Sequence, residues 1–466
     1  MDVSATEGSE RRTQASSRAA VGATEDSGRR IVGGHVVTMD GAGGGAGTVL
    51  ADGEVAWDAV GTLTYVGPAR GPAGAGDVDA TGCVVLPGLV NAHTHSGMSM
   101  LRGYSDDCDL QTWLGHVRDF EVGMSARDVA SGLRLALLEM VTTGTTAFAD
   151  MYHWDADLLA IVADAGLRVV AAPAVFDYDD VGYPGAAGPD GTGVLAATED
   201  LAREFAGDDH VRLAFGPHAP YTCSPELYAD VARRAARLGI GVHTHLSETR
   251  HEVDVCRERF GVTPIAHVER LGLFEVPVHV AHAVHATPED VAILAARGAS
   301  VSHNPVSNLK LGAGVAPLVA LRDAGVPLAL GTDSAASNNT LDLFEEIKTA
   351  PLLQRGVAAS PDVVLGSEAL AWATTGGARA LGFDRAGALE VGKWADVVVV
   401  RADGPAATPL YDPVSFLAFA ARGSDVRDVV VGGRTLVRDG RALTLDEDAI
   451  LDAVARAGYR RAHDAS

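Results

Sequence analysis

The sequence predicts an α/β protein: a (β/α)8 barrel of the TIM type with a small β-sandwich built from its N- and C-terminal segments. Three observations predict it. Between about 89 and 380, short Val-, Ala- and Leu-rich runs alternate with alanine-rich amphipathic stretches. Strands buried on both faces and separated by helices belong to parallel sheets, and about eight such repeats over roughly 290 residues suit a closed barrel. Histidines and an aspartate recur where those runs end, and the flanking segments have a different texture of short β-like runs broken by glycine clusters.

In chain order, residues 1–29 are rich in Ser, Ala, Gly, Arg and acidic residues without periodicity, which predicts a disordered extension. Residues 30–88, with "IVGGHVVTMD", "GTVLADGEVAWDAVGTLTYVG" and "DATGCVVLPG", form a small antiparallel unit, the first part of the sandwich. Residues 89–380 form the barrel. Its strands after the first are "GTTAFADMY", "LRVVAAPAVF", "VRLAFGPHAP", "GIGVHTHLSE", "PVHVAHAVH", "ASVSHNP" and "VPLALGTDS", with helices such as "SPELYADVARRAARLG" and "TPEDVAILAARG" between them. "GALEVGKWADVVVVRAD" and "VRDVVVGGRTLVRDGRAL" supply the second part of the sandwich over 381–443, and 444–466 closes the chain as a helix.

Composition narrows the function. A chain of 466 residues exceeds what one core usually serves, so a large domain plus a smaller one is expected. Lys+Arg 37 against Asp+Glu 61 gives a net charge of −24, which argues against nucleic acid or an anionic membrane as partner. Lysine occurs only at Lys310, Lys348 and Lys393, the signature of a halophile-like acidic surface or of an arginine-biased genome. Cys83, Cys108, Cys223 and Cys256 form no C-x-x-C pair, so neither a zinc knuckle nor a disulfide framework is indicated and a reducing cytoplasm fits. No apolar run reaches the ~18 residues of a membrane span. Arg11-Arg12 and Arg29-Arg30 precede no apolar leader segment, so export is not expected.

The chemistry starts at "NAHTHSGMSMLRG", residues 91–103. Residues i and i+2 of a strand face one side, so His93 and His95 can both point into the barrel mouth and share one ion. Barrel enzymes work at the C-terminal ends of their strands, and His218, His243, His245, His282, His303 and Asp333 fall there. One buried histidine is ordinarily a core residue; this many at neighbouring strand ends points to a metal site.

With "PGLVNAHTHSGMSMLRGYSDD", "GPHAPYTCSPEL", "HTHLSET", "HVAHAVH", "SHNPVSNLKLGAG", "LGTDSAASNNTLDLFEE" and "GALEVGKWADVVVV" in order, the chain resembles the amidohydrolase superfamily. Within it, the likeness is to the 5-methylthioadenosine/S-adenosylhomocysteine deaminases and the related triazine-type chlorohydrolases. The resemblance implies metal ligands His93, His95, His245 and Asp333. Spacing leaves His243 and His245 on one face, and the position nearer the strand end favours His245. His282 ranks above His279 and His285 through its parity with Val278 and Val280; the histidines passed over are left with supporting or ordinary roles. Relatives with two metals bridge them by a lysine of the fourth strand. "VRLAFGPH" has none, so one divalent ion is expected, Zn²⁺ first, with Fe²⁺ or Mn²⁺ compatible.

The implied reaction is hydrolytic: metal-activated water attacks the ring carbon bearing an amino group, and ammonia leaves. Glu248 resembles the family's proton shuttle, with a solvated loop carboxylate beside Arg250 as the plain reading. His282 would polarise the attacking water, and Asp333 would bind metal and accept the water's proton. His218 and Glu121, together with Glu248 and Asp333, would contact a small-molecule substrate, Glu121 aligning if one residue is deleted in "GHVRDFE". The arginine these deaminases carry after the third or fourth strand has no counterpart in "AAPAVFDYDDVGYPG", and the acidic loop Asp177, Asp179, Asp180 would either shape a different pocket or belong to the acidic surface. The alternatives are displacement of chloride or an amine from a triazine, and a non-catalytic barrel acting as an interaction protein, which the full ligand set disfavours. A homo-oligomer is compatible with either. Three further motifs are set aside: Gly41–Ala46 fits G-x-G-x-x-A but precedes a β segment, Gly387–Lys393 has Trp394 where a P-loop needs Ser or Thr, and Ser307–Lys310 lacks the other β-lactamase elements. Asn304 and Asn308 are expected to brace the seventh loop.

Overall fold

The computed structural model describes residues 30–41, 45–177 and 192–464. The expected extension 1–29, Asp179 and Asp180 of the acidic loop, and the middle of the Gly41–Ala46 motif lie outside the described residues. Eight parallel strands follow one another round the barrel: β1 (Leu89–Thr94), β2 (Thr145–Tyr152), β3 (Arg168–Val175), β4 (Val211–Pro217), β5 (Gly241–Leu246), β6 (Val278–His282), β7 (Ser300–His303) and β8 (Leu328–Leu330). The first and last meet just beyond the ladder. The Asp333 amide donates to the His93 carbonyl at 2.9 Å, and the Asn91 side chain both donates to Thr332 Oγ1 and accepts from the Thr332 amide. That stitch sets the residues following β8 beside those ending β1.

Local sequence explains the alternation. In the helix Pro225–Leu238, Ser224 caps the start with its side chain on the Leu227 amide, proline occupies the first turn, and Leu227, Tyr228, Val231 and Ala235 form the buried stripe. Gly239 then takes φ 69° and stops it, a conformation glycine adopts without steric cost. Along the strands the outward side chains, such as Val242, Val278 and Val280, join the large core shared with the helices, while inward positions on β2, β3 and β4 are small, chiefly alanine.

The two ends of the chain make one hydrogen-bonded sheet of nine strands. Cys83–Pro87 runs antiparallel to Val397–Arg401 and parallel to Arg30–Val37, so the N-terminal unit is mixed where antiparallel pairing was expected. Its valines alternate: Val84, Leu86, Val398 and Val400 pack toward the barrel core, and Val85, Val397 and Val399 into a second core within the sheet. This is why "CVVLP" and "VVVV" read as unbroken apolar runs. Barrel and sheet are also joined by a buried ion pair. Arg168, at the start of β3, reaches Asp396 through Nε at 3.0 Å and Nη2 at 3.2 Å, donates to the Asp209 carbonyl at 2.8 Å, and lies 3.6 Å above the Trp394 ring. The closing helix Glu447–Asp464 packs on Ala126–Thr142. Among the described residues no helix is long and apolar enough to cross a membrane.

Candidate metal centre and its cavity

Four rings and one carboxylate converge at the C-terminal end of the barrel. The His93 ring centroid lies 4.8 Å from that of His95, 4.9 Å from His245 and 5.3 Å from His282. Asp333 Oδ1 stands 3.3 Å from His95 Nε2 and 3.6 Å from His93 Nε2, and the Nε2 atoms of His95 and His245 are 3.3 Å apart. Two sets of groups, His93–His95–His245 and His93–His282–Asp333, can each present donor atoms within 4.8 Å of one another.

The orientation of each donor is fixed from behind. His95 Nδ1 bonds the Met151 carbonyl, and His245 Nδ1 bonds the His218 carbonyl at 3.0 Å. A carbonyl only accepts, so both rings keep a proton on Nδ1 and aim Nε2 into the cluster. Asp333 Oδ2 accepts from Ser307 Oγ at 2.6 Å and Oδ1 from the Ser334 amide at 2.8 Å. His93 Nε2 is buried and has no hydrogen-bond partner among the described residues. An unsatisfied inward nitrogen beside two further imidazoles and a carboxylate fits a divalent cation with N and O ligands. β4 carries no lysine, and a Cβ at its inward Gly216 would stand 2.7 Å from the Pro173 carbonyl, so nothing on that strand can bridge a second ion.

Burial sets the charge states of the cluster. It holds His93 and His245 well below the ordinary histidine range, neighbouring imidazoles adding to the effect, which keeps them in the neutral form that metal binding needs. For Asp333, burial would raise the pKa, but hydrogen bonding and charge from His95, with help from His282 and Ser307, hold it well below the carboxylate range. Glu248 is raised by burial, and its Oε1 lies 3.8 Å from His282 Nε2. The turn carrying Glu248 is clamped by the buried Glu252, whose two oxygens accept the Ser247 and Glu248 amides at 2.9 and 2.7 Å.

His282 comes to the cluster by a different route from the one its sequence position suggests. Val278 and Val280 face the helices, and His279, of the opposite parity, points inward to the Ala92 carbonyl. His282 has φ 77° and Ala283 φ 48°; this left-handed turn ends β6 and swings the ring round to the centre. Its Nδ1 then meets Asn308 Oδ1 at 2.9 Å and Asn304 Nδ2 at 3.2 Å, so the two asparagines hold this histidine as well as their loop. His285 lies apart, on the Ala313 carbonyl. Lys310 joins Asp106 at 2.5 Å to Asn339 Oδ1 at 2.6 Å, tying three barrel loops together.

The cluster opens into a cavity of about 860 Å³. His95, His245, His282, Asp333, Glu248, Glu121 and His218 all border it. Glu121 is buried and accepts from Tyr152 Oη at 2.6 Å; burial pushes its carboxyl up to about 7 against that bond. Burial lowers His218 to about 3, so the ring is neutral, with Nδ1 on Thr222 Oγ1 and its face near Phe176. Two helices cover the mouth. Leu110, Trp113, Leu114, Val117, Arg118 and Glu121 of Leu110–Glu121 form one stripe at helical spacing, and His251, Val255 and Arg259 of Arg250–Phe260 form another. Sequence reasoning missed Trp113, Arg118 and Arg259; the first stripe is legible in "LQTWLGHVRDFE". It also missed Asp150, buried on β2 below His95, which accepts from Thr94 Oγ1, the Ser96 amide and Trp154 Nε1.

The fold, the inward imidazoles and the single bridging-free centre define a class, and the sequence pattern of the Amidohydrolase family matches residues 84–436: the chain belongs to that family. Within it, the chain is 45% identical over 403 residues to the 5-methylthioadenosine/S-adenosylhomocysteine deaminase of Moorella thermoacetica, covering 84% of this chain and 92% of that one. Among solved structures it is similar to an adenosine deaminase from Xanthomonas campestris with bound zinc, with a TM-score of 0.86, 35% identity, and coverage of 93% and 98% of the two chains. The atrazine chlorohydrolase of Arthrobacter aurescens complexed with zinc superposes with a TM-score of 0.82 at 25% identity, over 92% of this chain and 99% of that one.

Proposed function

We propose that the protein is a metal-dependent hydrolytic deaminase of an adenosine-like nucleoside. The observation that carries the reading is the placement of Glu248 and His282 at 3.8 Å from one another beside the four inward donors, at the base of a cavity large enough for a nucleoside. The names of the relatives support the substrate class. His93, His95, His245 and Asp333 hold one divalent cation, zinc by preference. The cation supplies Lewis acidity, making water nucleophilic near neutral pH.

The chain's own residues do the rest. Water adds to the carbon bearing the amino group, and the carbon–nitrogen bond breaks with loss of ammonia. Asp333, kept ionised by its surroundings, takes a proton from the attacking water. Glu248, its carboxyl pKa raised by burial, gives its proton to the ring nitrogen; the proton held by Asp333 passes to the leaving amine, and Glu248 recovers one from the added hydroxyl as the carbonyl forms. His282 Nε2 hydrogen-bonds the oxygen as charge develops there. His218 and Glu121 bind the sugar end, and Trp113 and Phe176 flank the base.

The test is ammonia release from adenosine, 5-methylthioadenosine and S-adenosylhomocysteine, with chloride release from chlorotriazines in parallel and metal content measured on the same sample. Zinc with ammonia from at least one nucleoside is expected; zinc with chloride alone moves the protein to triazine displacement, and no metal removes the reading. Glu248→Gln lowers kcat by about 10²–10⁴-fold, the usual worth of general acid–base catalysis, while zinc stays at the wild-type level. A variant that loses the ion refutes the proton-transfer role.

A further inference from the structure

Below the proposed ligands lies a second layer of histidines that the deamination does not use. His243 and His279 sit side by side near the base of β5 and β6, paired in register, with ring centroids 4.9 Å apart, both buried. His279 has one possible arrangement. Its Nε2 faces the Ala92 carbonyl at 2.8 Å, which only accepts, so the proton is on Nε2, and Nδ1 accepts from Ser300 Oγ at 2.7 Å. His243 is different: its Nε2 stands 2.9 Å from His93 Nδ1, two nitrogens of which one must donate. Its own Nδ1 is buried with no partner among the described residues, and the residue borders a separate cavity of about 700 Å³ at the N-terminal ends of the strands.

We propose that His243 is a positioning residue for the metal site, and that ion binding at His93 sets the direction of the His93–His243 hydrogen bond. This rests on His93 being a ligand through Nε2. An Nε2 lone pair committed to a cation requires the proton of His93 on Nδ1, so His93 donates and His243 Nε2 accepts. His243 then carries its proton on Nδ1, the buried nitrogen that has no partner among the described residues. Without the ion the bond is free to reverse, His243 donating and His93 turning an Nε2 proton toward Asp333 Oδ1. An imidazole thus takes the place that a carbonyl holds behind His95 and His245, and metal loading is coupled to a proton arrangement at the opposite end of the barrel.

The test uses the full-length protein loaded with zinc. His243→Phe fills the space without an acceptor, and His243→Gln restores one. Partners behind metal-bound histidines are typically worth 10–100-fold in metal affinity, so the Phe variant gives up zinc to a chelator 10–100-fold more readily, and the Gln variant stays within about threefold of wild type. Equal retention in all three overturns the proposal; equal loss in both variants overturns it too, since packing alone would explain that. Should neither variant fold, histidine ¹⁵N shifts of the wild-type protein decide. A protonated Nδ1 on His243 in the zinc form, moving to Nε2 on zinc removal, supports the proposal, and a protonated Nε2 in the zinc form overturns it. His93→Ala separates the underlying reading: retention of zinc there means that His93 is not a ligand.

Discussion

Replacing Arg168 by methionine tests how the terminal sheet is held to the barrel. The guanidinium is 1% exposed and meets Asp396, 228 residues away in sequence, through two nitrogens. Without it the carboxylate keeps, among the described residues, the Gly432 amide at 2.7 Å. Breaking a buried pair from one side costs about 3–5 kcal/mol because a charge stays buried alone, and the cation over Trp394 adds up to about 2 kcal/mol. Replacing both partners is gentler. Arg168→Met with Asp396→Leu removes both charges and leaves the Gly432 amide and the Asp209 carbonyl to find water, at about 1–3 kcal/mol each. Urea unfolding followed by tryptophan fluorescence, with Trp394 as reporter, reads the difference. The single variant loses about 3–7 kcal/mol, equivalent to a midpoint lower by roughly 1–2 M for slopes of a few kcal/mol/M, and the double variant, which leaves no charge buried alone, loses less. A single variant within about 1 kcal/mol of wild type, or a double variant worse than the single, refutes the reasoning.

Two further predictions concern the site. Glu121, raised to about 7 by burial, is protonated below that pH and a full acceptor above it; if it binds the sugar as proposed, kcat/KM rises as pH climbs through 7, and Glu121→Gln flattens that limb. An unchanged limb in the variant assigns it to another group. Stripping the metal with a chelator lowers the thermal midpoint, and returning zinc to about a thousandfold excess over its Kd restores about 4 kcal/mol. No shift in a calorimetric scan would mean that the imidazole cluster is stable without an ion.

The barrel was legible because its strands are short apolar runs between capped amphipathic helices, a pattern that survives in one sequence. The placing of donors at strand ends was legible for the same reason: the fold dictates where βα loops gather. Parity, however, fails at a strand's last residue. His282 shares parity with two outward valines and still reaches the centre, because the backbone turns left-handed there, and no neighbour in "HVAHAVH" announces that turn. Trp113, Arg118 and Arg259 were hidden for a different reason: they reach the cavity from helices that fold over it, and only the tertiary arrangement says which helical stripe covers the mouth. Ser307 and Lys310 looked like a nucleophile motif; the serine instead supports Asp333, and the lysine ties loops.

The pairing of Cys83–Pro87 with Val397–Arg401 bears on how the chain is made. Its partners leave the ribosome roughly three hundred residues apart, and closing so long a loop is slow before the intervening contacts exist. The nascent N-terminal strands must wait, one edge uncovered, until the barrel has been translated and has brought its last helix round. A circular permutant opened in an exposed barrel loop would deliver the two halves of that sheet consecutively, and should refold faster and with fewer aggregates than the natural order.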